Sequence, residues 1–327
     1  MAINVGEYSI SLDGKDPDAN VSFVSHAHTD HLSGIRKDRK VIASAATKDL
    51  IELRDSRKRI ELAKDPKNVR MLSAGHILGS RQLYTESEEL GASILYSGDY
   101  QTDRSLAAEP IETKEADILI VDSTYPDRET VFGDREETMS SIQSFMKAKL
   151  ERGIVLFGSY ALGKSQELNL IANEAGIVPV VDEKIAAINR VYSRHGISME
   201  YLSSSEDEDE TAAALRSNFM GIVPVHRLAE TARGLGKAHG KRVYTAVATG
   251  FARSFGMGTD AQFPLSDHAD FRQALEYIGA CNPREIYTRG NRDCSERFAR
   301  NLSMEGYKAE AFTGRVAMAL SSKAKTI

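Results

Sequence analysis

Three imidazoles and a carboxylate fall within six consecutive positions, His26-Ala27-His28-Thr29-Asp30-His31. The cluster follows Ser25 and the apolar run Val21-Ser22-Phe23-Val24. Packing alone does not explain a buried strand that runs straight into such a loop. Neutral imidazole nitrogen and carboxylate oxygen are the donors that Zn²⁺ and similar divalent ions prefer. Four further sites share this chemistry. His76 lies in SAGHILGS between two glycines, Asp99 ends YSGD, Asp122 ends the run ILIVD, and His268 lies in PLSDHAD. Most follow an apolar run or a glycine, the way a rigid scaffold presents polar groups at strand ends. Singly, each reads as a cap, a turn residue or a part-buried histidine. Together with HxHxDH they point to a metal site.

The elements that must position these residues are legible in outline. Tyr8 to Leu12 alternates and ends at Asp13-Gly14, and Val21 to Val24 feeds the histidine loop. Lys40 to Ala43 reads as a strand and Ala45 to Ala63 as a helix. Gln82 to Thr85 and Ser93 to Tyr96 flank a Glu-rich turn closed by Gly91, a hairpin pattern. Asp117 to Val121 is a continuous apolar run, expected of a strand buried on both faces. From Arg135 onward the pattern changes to strand–helix alternation. It runs through helices at 135–152, 165–175 and 183–194, strands at 154–157 and 178–181, and on to 242–247. That pitch predicts a small α/β unit with a parallel sheet. The tail returns to a helix from Phe271, a strand at 285–288 and a last helix from Cys294.

Bulk properties bound the reading. The 327 residues suggest about two domains. The 41% apolar and 27% charged composition is that of a globular protein. A net charge of −5 announces no nucleic-acid binder, although a local basic groove is compatible with it. The basic stretch 54–67 and the acidic stretch 205–210 read as a solvated helix face and a solvated loop. Cys281 and Cys294 are too few for a disulfide scaffold or a cysteine-based zinc site, and fit a reducing compartment. The first residues lack a basic start followed by an apolar run, and no stretch approaches the roughly 20 apolar residues of a membrane span. A soluble, cytoplasmic chain with no membrane partner is expected.

Asp13, HAHTDH, AGHILGS, SGDY, VDSTYP and PLSDHAD, in this order, resemble the metallo-β-lactamase-fold nucleases of the β-CASP group. That group includes RNase J, the cleavage and polyadenylation endonuclease and the Artemis-type DNA nucleases. The resemblance covers nearly the whole chain. It implies an α/β fold, an αββα sandwich over residues 1–126 and 263–327, with a β-CASP cap inserted at 127–262. It implies that His26, His28, His76 and Asp99 bind a first zinc ion, and that Asp30, His31 and the bridging Asp99 bind a second. Asp30 thus counts among both ligands and catalytic residues. Asp13 would orient a ligand of the loop. His268 would contact the phosphate and protonate the leaving oxygen, with Asp122 aiming it. The implied reaction is phosphodiester cleavage of single-stranded RNA or DNA, exonucleolytic or of the RNA 3′-end-processing type, in a cleft beside the cap. Dimers are common in the group.

One motif departs from the group's pattern. RNA-processing members carry a His-Gly pair where this chain has Arg289-Gly290, and Arg289 cannot ligate a metal. The second ion and the choice of RNA over DNA both turn on that position. Arg289, Lys164 and Ser266 are candidate phosphate contacts, Arg289 by its fork geometry. A rival reading starts from Gly158 to Ser165, which fits GxxxxGKS between a strand and a helix, with ILIVD resembling a Walker B strand. That nucleotide-binding reading leaves five histidines unexplained and reverses the usual motif order. A non-nuclease metallo-hydrolase of the same fold would lack the cap and SDHAD. A binding subunit without activity would have lost metal ligands, and here all but the one at position 289 are present.

Overall fold

The structure is a computed structural model describing residues 2–64, 67–87, 90–205, 208–250 and 258–312. Parts of three predicted features lie outside these residues: 65–66 of the basic stretch, 88–89 of the Glu-rich turn and 206–207 of the acidic stretch. Residues 251–257 of the predicted cap and 313–327 of the predicted 263–327 domain segment do so as well. The chain is α/β and divides into two compact units. One comprises Met1–Arg104, Ala108–Val131 and His268–Ile327, the other Ser105–Ala107 and Phe132–Asp267.

The first unit holds two sheets. The smaller has the order Ala2–Val5, Tyr8–Leu12, Val21–Phe23, Lys40–Ile42. The larger has the order Ala309–Ala311, Glu285–Arg289, Ile118–Asp122, Ala92–Tyr96, Arg81–Ser87, Val69–Ser73. Its first four strands are parallel and its last two antiparallel, closing the hairpin predicted from the Glu-rich turn. Successive side chains of a strand point to opposite faces. Ile94, Tyr96, Ile118 and Ile120 therefore pack against Ile10, Leu12, Phe23 and Ile42 of the smaller sheet. Leu95, Leu119 and Val121 turn the other way, onto Phe271, Tyr277 and Ile278 of the helix Phe271–Cys281 and Phe298 and Leu302 of the helix Arg292–Met304. This double burial is why ILIVD reads as an unbroken apolar run.

The helix predicted over 45–63 spans only Ala45–Arg54. Ser44 caps it, accepting from Thr47 N at 3.0 Å. Beyond Arg54 the segment RDSRKR offers no apolar stripe to bury. Asp55 is extended, and the following chain bonds to a strand instead: Val41 N donates to Glu61 O at 2.9 Å and Ala63 N to Val41 O at 2.8 Å.

Two tyrosines of this unit carry a pH prediction. Tyr100 and Tyr277 are buried, their ring centroids 4.6 Å apart. Burial pushes both hydroxyls well above the ordinary tyrosine range, helped by Asp122 at Tyr100 and by Cys281 at Tyr277. The fold thus keeps protons that the unfolded chain gives up near pH 10. This stabilisation is complete below that pH and is lost as pH rises toward the folded values, at about 1.4 kcal/mol per pH unit for each tyrosine. Urea midpoints should fall above about pH 10, and fall less steeply in Tyr100→Phe. Equal slopes in the two proteins would exclude this account.

The second unit has one parallel sheet in the order Leu202–Ser203, Val180–Val181, Met220–Pro224, Ile154–Ser159, Val243–Ala248, Ala261–Phe263. Helices Arg135–Leu150, Lys164–Glu174 and Glu183–Arg194 supply Ile142, Met146, Leu168, Ile171 and Ile185 to a core with Val155, Phe157 and Ile222. The strand–helix alternation is as predicted. The GxxxxGKS segment is not built as a phosphate cradle. Lys164 is 3% exposed, and its ammonium bonds Asp267 Oδ1 at 2.6 Å and lies 3.4 Å from Glu167 Oε2. Glu167 also pairs with Arg135 and accepts from Ser105 Oγ at 3.1 Å. A buried lysine committed to two carboxylates, the buried Glu167 and the half-buried Asp267, does not reach out to an anion, because breaking such pairs leaves charge uncompensated. Ser266 is buried too, its carbonyl accepting from Arg135 Nη1 at 2.7 Å. Among the described residues no helix is long and apolar enough to cross a membrane.

Candidate metal centre

Asp13 fixes the shape of the histidine loop. It leaves the strand Tyr8–Leu12 in the left-handed region (φ 44°), and its amide donates to Phe23 O at 2.9 Å. Its Oδ1 accepts from Ser25 N at 2.7 Å. Its Oδ2 accepts from Ser25 Oγ at 2.5 Å, Tyr96 OH at 2.8 Å and His31 Nδ1 at 2.8 Å. One buried carboxylate thereby ties the first and last residues of the loop. Arg54 braces the middle, donating to Ala27 O at 2.5 Å and Thr29 Oγ1 at 3.1 Å.

His76 comes to this loop from a tight turn. Gly75 has φ 74°, and a Cβ there would lie 2.2 Å from Gln101 O, so only glycine fits. Asp99 follows Ala92–Tyr96 through Ser97-Gly98. Gly98 has φ 58°, and a Cβ on it would meet Ser25 Cβ at 2.7 Å. The strand end therefore presses directly on the start of the loop.

Four donors converge as a result. His28 Nδ1 lies 3.0 Å from His26 Nε2 and 3.1 Å from His76 Nε2. Asp99 Oδ2 lies 3.5 Å from His26 Nε2 and 3.8 Å from His76 Nε2. A tetrahedral ion with bonds of 2.0–2.1 Å separates its donors by about 3.3 Å. His26, His28, His76 and Asp99 therefore fit one divalent ion. Burial and the neighbouring His31 hold His26 well below the ordinary histidine range. Neutral imidazole is the form that binds metal.

A second group of donors is less complete. His31 Nε2 lies 3.3 Å from Asp99 Oδ2 and 3.5 Å from Asp30 Oδ2. The bond from Nδ1 to Asp13 leaves Nε2 facing these carboxylates. The Asp30 side chain is 78% exposed. Burial pulls His31 down, but Asp99 and Asp13 outweigh it and raise it well above the ordinary range. Asp99 shows the reverse balance: burial raises it, while His31 and His26 hold it well below the carboxylate range.

His268 stands beside both groups. Its Nδ1 lies 3.0 Å from Asp122 Oδ2 and its Nε2 3.9 Å from Asp99 Oδ2. Asp122 is itself oriented, its Oδ1 accepting from Thr124 N at 3.0 Å and Thr124 Oγ1 at 2.8 Å. Gln101 Nε2 holds the His268 carbonyl at 2.8 Å. Arg289 ends a strand in register with Asp122. Its guanidinium donates to Tyr96 OH and lies over that ring, 5.0 Å from the centroid.

His26, His28, Asp30, His31, His76, Asp99, Asp122, His268, Asp13 and Arg289 are thus brought into one neighbourhood of the first unit. Lys164 and Ser266 belong to the second unit. Sequence reasoning passed over Ser25, Arg54 and Tyr96. Ser25 and Tyr96 sit in or beside quoted motifs, but an aromatic in an alternating strand looks like core, which Tyr96 also is.

No family model matches the chain. Among curated proteins, it is 33% identical to a probable DNA ligase of Opitutus terrae over 306 residues, 89% of this chain and 28% of that protein. It is 30% identical to an RNase J-like protein of Methanocaldococcus jannaschii, over 53% of this chain and 47% of that one. It is 28% identical to the mouse DNA cross-link repair 1A protein, over 47% of this chain and 16% of that one. The chain spans less than half the length of each of these relatives.

Proposed function

We propose, because this chain belongs to the β-CASP group of metallo-β-lactamase-fold nucleases, that it is a metal-dependent phosphodiesterase acting on single-stranded nucleic acid. The observation that carries this reading is the convergence of His26, His28, His76 and Asp99 beside the His268–Asp122 pair. On this reading the two-sheet unit is the αββα nuclease sandwich and Phe132–Asp267 is the cap. The four converging donors hold a zinc ion. When bound, such an ion lowers the pKa of water toward neutrality and draws electron density from a phosphoryl oxygen.

The remaining work falls to the chain's own side chains. His268, with Nδ1 on Asp122, directs Nε2 toward the donor cluster, where a scissile phosphate would lie. As imidazolium it gives its Nε2 proton to the departing oxygen, and Asp122 favours that charged form by its opposite charge. Asp13 and Ser25 keep the loop in shape throughout. DNA is the favoured polymer, because a relative aligned over 89% of this chain is named a probable DNA ligase. A cytoplasmic location is supported by two free cysteines.

The test is degradation of end-labelled single-stranded DNA and RNA by the purified chain, with metal analysis of the same sample. Metal-dependent shortening of DNA is expected. Faster cleavage of RNA would reverse the choice of polymer. A metal-loaded chain that cuts neither would end the nuclease reading.

A further inference from the structure

Arg289 is the one residue of the neighbourhood that cannot donate to a metal, yet it is wired into the loop that does. Tyr96 has a single hydroxyl proton, which goes to Asp13 Oδ2 at 2.8 Å. Its lone pairs therefore face Arg289, whose guanidinium donates to them. The direction of the relay is fixed: Arg289 to Tyr96, Tyr96 to Asp13. Asp13 then receives His31 Nδ1 and both donors of Ser25. A permanently charged fork at the end of one strand thus sets the orientation of both ends of the metal loop.

The charges point the same way. Asp13, Asp99 and Asp122 all favour the guanidinium, against the burial that disfavours it. The donors grouped around His31 form an incomplete set: His31 Nε2, the shared Asp99 and the exposed Asp30. A second dication among these carboxylates would have to share them with a cation that never leaves.

We infer that Arg289 acts through Tyr96 and Asp13 as a built-in cation, holding His31 and its loop where a second ion would otherwise do so, and that the chain carries one metal ion. This rests on reading His26, His28, His76 and Asp99 as a metal centre. Arg289 is on this account a positioning residue.

The test is metal binding, not turnover. The chain is stripped with chelator and titrated with Zn²⁺, ions per chain are counted, and folding is followed by circular dichroism. The wild type should hold one ion. Arg289→His, which supplies a neutral donor, should approach two. Arg289→Met and Tyr96→Phe should each hold one ion about tenfold or more weakly, as loss of outer support does elsewhere. Arg289→Lys, which keeps the charge, should recover most of the affinity. If Arg289→Met does not fold, Tyr96→Phe carries the test, since it removes only a hydroxyl. Two ions bound to the wild type with similar affinity would overturn the inference, as would unchanged affinity in Tyr96→Phe. A wild type that binds no ion would instead overturn the metal centre itself.

Discussion

Replacing His26 by alanine is expected to strip the chain of tightly held metal and to abolish cleavage. His26 is fully buried, with Nε2 facing two other donors and Nδ1 3.0 Å from Ser25 Oγ. Its ring links the donor cluster to the loop's own support. Loss of an outer partner of a metal ligand costs roughly 10–100-fold in affinity or activity, and loss of the ligand should exceed that. The alanine also leaves a void in a packed site, so melting temperature must be followed beside metal content. The decisive comparison is His195→Ala in the second unit, which should change neither metal nor rate. A His26→Ala protein that keeps its metal and its activity would remove this histidine from the centre.

Replacing His268 by alanine should separate chemistry from metal binding. A positioned proton donor contributes typically about 10²–10⁴ in rate, and a loss of that size is expected. Metal content should stay at the wild-type level if the ion sits among His26, His28, His76 and Asp99 and not in the overlapping group of Asp99, Asp122 and His268. Asp122→Asn should cost less and change the pH profile. The amide cannot favour the imidazolium as a carboxylate does, so the rate should fall away at lower pH than in the wild type. Cleavage rates across pH, with metal analysis at each point, check both. Parallel loss of metal and activity in His268→Ala would make this histidine a ligand.

What was legible in the sequence followed from burial. Ile118–Asp122 and Ile154–Ser159 lie inside their sheets, so their apolar runs are long and unbroken. Five strands had no sequence expectation: Ala2–Val5, Val69–Ser73, Leu202–Ser203, Ala261–Phe263 and Ala309–Ala311. Every one is at a sheet edge. An edge strand has a neighbour on one side only, and its pattern weakens accordingly, as in the partly buried Ala261–Phe263. The candidate site was legible because histidines and aspartates at strand ends have few packing uses. Tyr96 was not, because its ring belongs to the core and only its hydroxyl serves the loop. Lys164 misled for the opposite reason: a short motif matched a pattern, while its charge was already spent on Asp267 and Glu167.

The larger sheet carries a consequence for how such a centre changes over time. Three parallel neighbours, Ala92–Tyr96, Ile118–Asp122 and Glu285–Arg289, end side by side and deliver Asp99, Asp122 and Arg289 at one level. The apolar residues that hold those strands together sit one or more positions earlier. Descent can therefore exchange Asp99, Asp122 or Arg289, which lie at or just beyond the strand ends, without replacing a core residue. A donor and a guanidinium become interchangeable parts on a fixed rack, and one scaffold can serve centres with different ion counts.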